Sequence, residues 1–212
     1  MPLVYQQNIN YASGLGLWQI AESEDFFSAA VQPLHPIANE TKRLQHLSAL
    51  YTLGLLHGDF PYTRVRVAGS GRPFVENDAC FFSISHSGSF AAALHSTEFR
   101  VGVDVENFHD RIFRVAPRFL SGPERDLLSR AAQPDSGLTQ IKMLTAAWCV
   151  KEALYKWYGA SGLDFIRHLH IDDFLVTDQK ASAVCRIGRN GFTEAEAGIA
   201  FFDDCCLAWV VQ

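Results

Sequence analysis

The stretch VGVDVE at 101–106 sets two carboxylates on alternate positions of an otherwise apolar segment. Side chains alternate along a strand, so Val101, Val103 and Val105 face one way and Gly102, Asp104 and Glu106 the other. Two like charges become near neighbours. Such a strand is either half-buried with an acidic outer face, or part of a site for a hard divalent cation, with the glycine letting a ligand approach. A second stretch, WCVKEALYKW at 148–157, places Trp148, Glu152 and either Tyr155 or Lys156 on one helical face. Glu152 and Lys156 form an i, i+4 pair, which by itself is a solvated salt bridge worth a few tenths of a kcal/mol. In a third, FSISHS at 82–87, a single histidine ends an apolar strand, and alone it reads as a satisfied buried side chain.

The elements that must position these residues are legible in outline. In the first half, GLGLWQIAE reads as a strand and SEDFFSAAV as a short helix. NETKRLQHLSALYTLGLLHG follows as a longer helix, with Asn39 as N-cap, Leu44, Leu47, Tyr51 and Leu55 as its apolar stripe and Gly58 as its stop. RVRVA is a strand, GSGRP a turn, and FFSIS and FAAALHS two strands joined at HSGS.

The second half repeats the plan. VGVDVE is followed by SGPERDLLSRAA, where Ser121 and Glu124 form a capping box with Pro123 in the first turn. LTQIKMLTAAWCVKEALYKWYG is a long helix, and IDDFLV, AVCRI, AGIAFF and CLAWVV are four strands. The only linker candidates are AAQPDSG and the residues just before Val101. The expectation is an α+β fold of two packed subdomains, residues 1–98 and 99–212, with a ligand in their cleft.

Composition narrows the function. A chain of 212 residues that is 48% hydrophobic and 19% charged is an ordinary globular protein able to bury a sizeable core. Its net charge of -5 argues against a nucleic-acid or membrane-surface binder. MPLVYQQNINYASG has no charged start followed by an apolar run, and CCLAWVV is too short to span a bilayer, so a cytoplasmic protein is expected. Five cysteines without metal-ligand spacing read as small core residues.

Together, GRP at 71–73, FSISHS at 82–87, VGVDVE at 101–106 and WCVKEALYK at 148–156 resemble the 4'-phosphopantetheinyl transferases of the larger, two-subdomain, surfactin-synthetase-activating type. That family carries G-K/R-P, F-N/S-I-S-H-S, I/V-G-I/V-D-I/V-E and W-S/C/T-x-K-E-A/S-x-x-K motifs in this order. The resemblance runs from about Gly69 to Gly162, takes in RFLSGPERDLL, and includes a helix like the family's at 39–57. It implies two similar α/β subdomains related by a pseudo-two-fold axis, each an antiparallel sheet packed with helices. It further implies a monomer that moves 4'-phosphopantetheine from coenzyme A to a serine of an apo acyl or peptidyl carrier protein, releasing 3',5'-ADP.

The same resemblance assigns roles to residues. Asp104, Glu106 and Glu152 would hold a magnesium ion, and Lys156 and His86 would meet the phosphates with Ser85 beside them. Arg72 would bind the 3'-phosphate, with Arg43 on the first long helix for the nucleotide phosphates, and Lys151 is either also in the phosphate shell or an ordinary surface lysine. Glu152 would assist deprotonation of the carrier serine, and Glu124 occupies a position where the family also has a glutamate. Departures from the family lie around the nucleotide: VQPLHPIANETKR carries His35 but no lysine before Lys42, and GASGL stands where G-K-G-L is frequent. Rival readings are an inactive coenzyme A or carrier-protein binding module of the same fold, and an unrelated magnesium-dependent phosphohydrolase or nuclease.

Overall fold

A computed structural model describes residues 2–69, 72–132, 139–176 and 181–212. Gly71 of the GRP turn and most of the AAQPDSG linker candidate lie outside them. The first half runs β1 (Leu3–Asn10), β2 (Ser13–Gln19), α1 (Glu24–Ser28), α2 (Glu40–Leu56), β3 (Val65–Val67), β4 (Pro73–Val75), β5 (Phe81–Ser87) and β6 (Phe90–Ser96). The second runs β7 (Val101–Asn107), α3 (Arg111–Val115), α4 (Gly122–Ala131), α5 (Gln140–Tyr158), β8 (Leu169–Val176), β9 (Ala181–Ile187), β10 (Thr193–Phe201) and β11 (Cys205–Val211).

Two antiparallel sheets result, ordered β1-β2-β6-β5 and β7-β11-β10-β9-β8, with β3 and β4 as a separate hairpin. The halves share a plan. β2 pairs with β6 and β6 with β5, just as β7 pairs with β11 and β11 with β10. In each half a long helix inserted after the first of these strands packs on all three, α2 in one and α5 in the other. That is the expected α+β architecture with its internal repeat.

Alternation fixes the layering. Leu15, Leu17, Phe90 and Leu94 of the first sheet share one buried cluster with Val101, Val103, Val105 and Leu207 of the second. The opposite face of the first sheet meets α2 through Trp18, Ala91, Leu47 and Leu50, and that of the second meets α5 through Cys206, Ala208 and Val210. All five cysteines are buried and unbonded, so they act as small core residues. No helix among the described residues is long and apolar enough to cross a membrane.

Several local expectations need correction. β1 is an element beyond those expected, an edge strand paired to β2 whose residues do not alternate regularly between buried and exposed. α2 does begin at Asn39, whose side chain accepts from the Lys42 amide, but its buried face is Leu47, Ala49, Leu50 and Leu53, while Leu55 is 49% exposed. In the last turn Leu56, not Leu55, lies over Gly14 and Gly16 of β2, and the helix closes with His57 as C-cap directly before Gly58. β5 does not stop before HSGS. It continues through His86 and Ser87, paired to Ala91 and Phe90, and the turn is made by Gly88, at φ +55°, with Ser89.

Gly102 also differs from its expected role. A Cβ there would stand 2.0 Å from the Ala153 carbonyl oxygen and 2.6 Å from the Trp157 nitrogen. The glycine admits the backbone of α5, not a ligand. Gly102→Ala should therefore force α5 off β7 and destabilise the protein by at least about 2 kcal/mol. Urea unfolding checks this, and a midpoint equal to that of the unmodified protein would show that the helix can step back freely.

Candidate functional site

The close approach at Gly102 decides what faces what. Asp104 and Glu106 share its side of β7 and so lie under α5, where Trp148, Glu152, Tyr155 and Lys156 form the incompletely buried stripe between Met143 and Trp157. Lys156 Nζ donates to Asp104 Oδ1 at 2.8 Å, to the Val103 carbonyl at 2.9 Å and to the Ile84 carbonyl at 3.4 Å. It thereby ties α5 to both sheets. Trp148 Nε1 donates to Glu106 Oε1 at 3.4 Å, and its indole stacks on Phe165.

The first sheet contributes from β5. Ser85 donates to Asp104 Oδ1 at 2.7 Å and Ser87 to Glu106 Oε2 at 2.6 Å. His86, on the other face of β5, lines a hollow of about 280 Å³ with His35, His46, Ser85 and Lys156. Burial, then the Lys156 charge, lowers the His86 pKa below the usual imidazole range. His46 is pulled down to about 4 by burial and by His35 and His86. A second hollow, about 230 Å³, is lined by Arg72, Phe82, Tyr155, Lys156 and Gly159. Lys156 thus stands where two hollows meet.

The carboxylates are crowded. Burial, with the Asp104 charge next, pushes Glu152 up to about 7, although Lys156 pulls the other way. Burial also raises Glu106, the hydrogen bond from Ser87 opposes it, and Asp104 adds to the rise. Asp104 Oδ2 is buried and has no hydrogen-bond partner. Among the described residues no three His, Cys, Asp or Glu side chains are gathered at ligand spacing; Lys156 and Ser85 hold Asp104, and Ser87 and Trp148 hold Glu106, on the side of β7 that faces α5. The donor set nevertheless suits a hard cation: oxygen ligands in excess of nearby positive charge, one of them a buried orphan.

Of the residues singled out in the sequence, the structure brings together Asp104, Glu106, Glu152, Lys156, Ser85 and His86, with Arg72 at the adjoining hollow. A Cβ on Gly159 would overlap the Arg72 guanidinium, so this glycine admits Arg72 beside the end of α5. Arg43 is directed elsewhere, with Nε on Glu24 at 2.7 Å and Nη1 on the Ile37 carbonyl at 2.9 Å. Trp148 and Ser87, which lie in the same motifs, join the site through Glu106. Spacing alone marks them, since Trp148 shares a helix face with Glu152 and Ser87 a strand face with Ser85.

Lys151 requires outright correction. It is neither in a phosphate shell nor on the surface: its side chain is fully buried on the core face of α5. Its Nζ meets Glu124 Oε1 at 2.7 Å and the carbonyls of Phe119, Phe165 and Leu169 at 2.7, 2.8 and 2.9 Å. Helical spacing explains this, since one residue before Glu152 the side chain points about 100° away. Glu124 is also held by the Ser121 and Ile171 amides, completing the capping box. Burial works to raise Glu124, but Lys151 and these amides hold it below the ordinary carboxylate range.

Residues 100–208, just over half of the chain, match the 4'-phosphopantetheinyl transferase superfamily, so the chain belongs to it. Among curated proteins the chain finds no match. The matched span contains β7, α5, Asp104, Glu106, Glu152 and Lys156.

Because Lys151 is a structural charge, Lys151→Met should destabilise the fold by about 3–5 kcal/mol, leaving Glu124 and three carbonyls without their cation. Adding Glu124→Gln should recover part of the loss. Denaturant unfolding of the two variants checks both, and an undiminished Lys151→Met would contradict the assignment.

Proposed function

We propose that this chain is a transferase of the larger, two-subdomain type, with halves at 1–98 and 99–212. It moves 4'-phosphopantetheine from coenzyme A to a serine of an apo acyl or peptidyl carrier protein. The observation that carries this reading is the seam itself, where three carboxylates, Lys156 and His86 meet between two hollows. A binding module without chemistry has no use for so costly a concentration of buried charge.

In this reading Asp104, Glu106 and Glu152 hold magnesium, which when bound neutralises pyrophosphate charge. The serine oxygen bonds to the phosphorus that bears pantetheine, and the bridging P–O bond breaks to release 3',5'-ADP. Glu152 takes the serine proton, while Lys156 and His86 face the oxygens on which negative charge gathers. Arg72 receives the 3'-phosphate from the adjoining hollow, where a guanidinium can engage it bidentately. The fully buried surroundings of Lys151 leave it no part in this shell.

The carrier is best received on the second half. Arg111, Arg114, Arg118 and Arg125 are all exposed, and Arg125 lines a separate hollow of about 140 Å³ floored by Ala116, Leu128 and Met143 and edged by Phe113, itself 43% exposed. Pro117 ends α3, so the arginines are spread over α3, the 3-10 turn Ala116–Arg118 and α4 rather than along one helix. This gives a chain of net charge -5 a local cationic surface with an apolar centre, suited to an acidic helix.

The deciding experiment is incubation with coenzyme A, magnesium and a panel of apo carrier proteins, read by intact mass. The expected result is the gain of one phosphopantetheine, abolished by excess chelator and reduced at least about 100-fold in Asp104→Asn. Full transfer in chelator would remove the metal role. No transfer to any carrier would favour the binding module. Separately, Arg114→Glu with Arg118→Glu should slow carrier association and flatten its salt dependence while coenzyme A affinity holds. Unchanged stopped-flow kinetics at low ionic strength would place docking elsewhere.

A further inference from the structure

Each sheet ends at the seam, the first at β5 and the second at β7, and the backbone groups of an edge strand need partners. Here side chains supply them. Ser83, Ser85 and Ser87 occupy every second position of β5, so all three hydroxyls point at β7. The Val103 amide donates to Ser83 Oγ at 3.0 Å and the Asn107 amide to Ser87 Oγ at 3.4 Å. The hydroxyl protons then return to the same strand, from Ser85 to Asp104 and from Ser87 to Glu106.

A serine hydroxyl has one proton to give. At Ser87 the Asn107 amide fills a lone pair, which directs that proton to Glu106 Oε2 at 2.6 Å. Glu106 depends on this contact more than Asp104 depends on Ser85. Asp104 is 4% exposed and also held by Lys156 at 2.8 Å, whereas Glu106 is only half-buried and its other donor, Trp148, lies at 3.4 Å. We infer that Ser87 is a positioning residue that reaches across from the first sheet to restrain the Glu106 carboxylate beside Asp104, so that less freedom is lost when the acids close on a cation. The inference rests on the proposed reading of Asp104, Glu106 and Glu152 as cation ligands. It makes the first half of the chain a contributor to the cation site without supplying a ligand to it.

The test is Mn²⁺ binding followed by electron paramagnetic resonance, with coenzyme A present at saturation, and with thermal unfolding of each variant alongside. Ser87→Ala should weaken Mn²⁺ binding by about 10-fold, the lower end of the range for partners of metal ligands, and Ser87→Thr, which keeps the hydroxyl, should stay near the unmodified protein. If Ser87→Ala fails to fold, Ser87→Cys, with its weak donor, carries the same comparison. Wild-type affinity in a folded Ser87→Ala or Ser87→Cys protein overturns the inference, even if the variant melts earlier. Failure of the underlying reading looks different: Glu106→Gln would then bind Mn²⁺ as well as the unmodified protein.

Discussion

The close contact between α5 and β7 is the constraint on which the rest of the arrangement depends. With no side chain at Gly102, the helix backbone approaches until the Ala153 carbonyl and Trp157 nitrogen occupy the space of a Cβ. Only at that distance do Glu152 and Lys156 stand over the acids of β7. A larger residue would push the helix outward and separate the cation from its partner, Asp104.

The helix is held in rotation as well as in distance. One face carries the partly exposed stripe, Trp148, Glu152 and Lys156, and the adjoining core face carries Lys151. The Lys151 ammonium is anchored by Glu124 and three carbonyls from two other segments of the chain, a set of contacts that no other rotation of α5 would preserve. Adjacent lysine and glutamate in the sequence therefore divide the work: one fixes the helix, the other is presented to the cleft. A buried pair of this kind contributes little net stability compared with apolar packing, but it specifies orientation.

Across the seam the two sheets meet without a backbone ladder. The serines of β5 take that place, satisfying amides of β7 and passing hydrogen bonds to its carboxylates. Lys156 spans the same gap through Ile84, Val103 and Asp104. Beside this seam, burial first and then the charges of Asp104 and Glu106 on β7 raise Glu152 to about 7.

By itself the sequence determined the kinds of element and the chemistry on their faces. Alternation placed Asp104 with Glu106, helical spacing placed Trp148 with Glu152, and the capping box at Ser121 began α4, because each is a rule of local geometry within a few residues. The order of elements in each half also carried the α+β repeat. What only the tertiary structure decided were matters of long range. The edge strand β1 has no local period to betray it. Lys151 is buried because segments 14 to 32 residues away close around it. Arg43 turns to Glu24 because α1 happens to pack beside α2. Gly102 serves a helix rather than a ligand for the same reason: a glycine announces that something comes close, and only the packed chain says what.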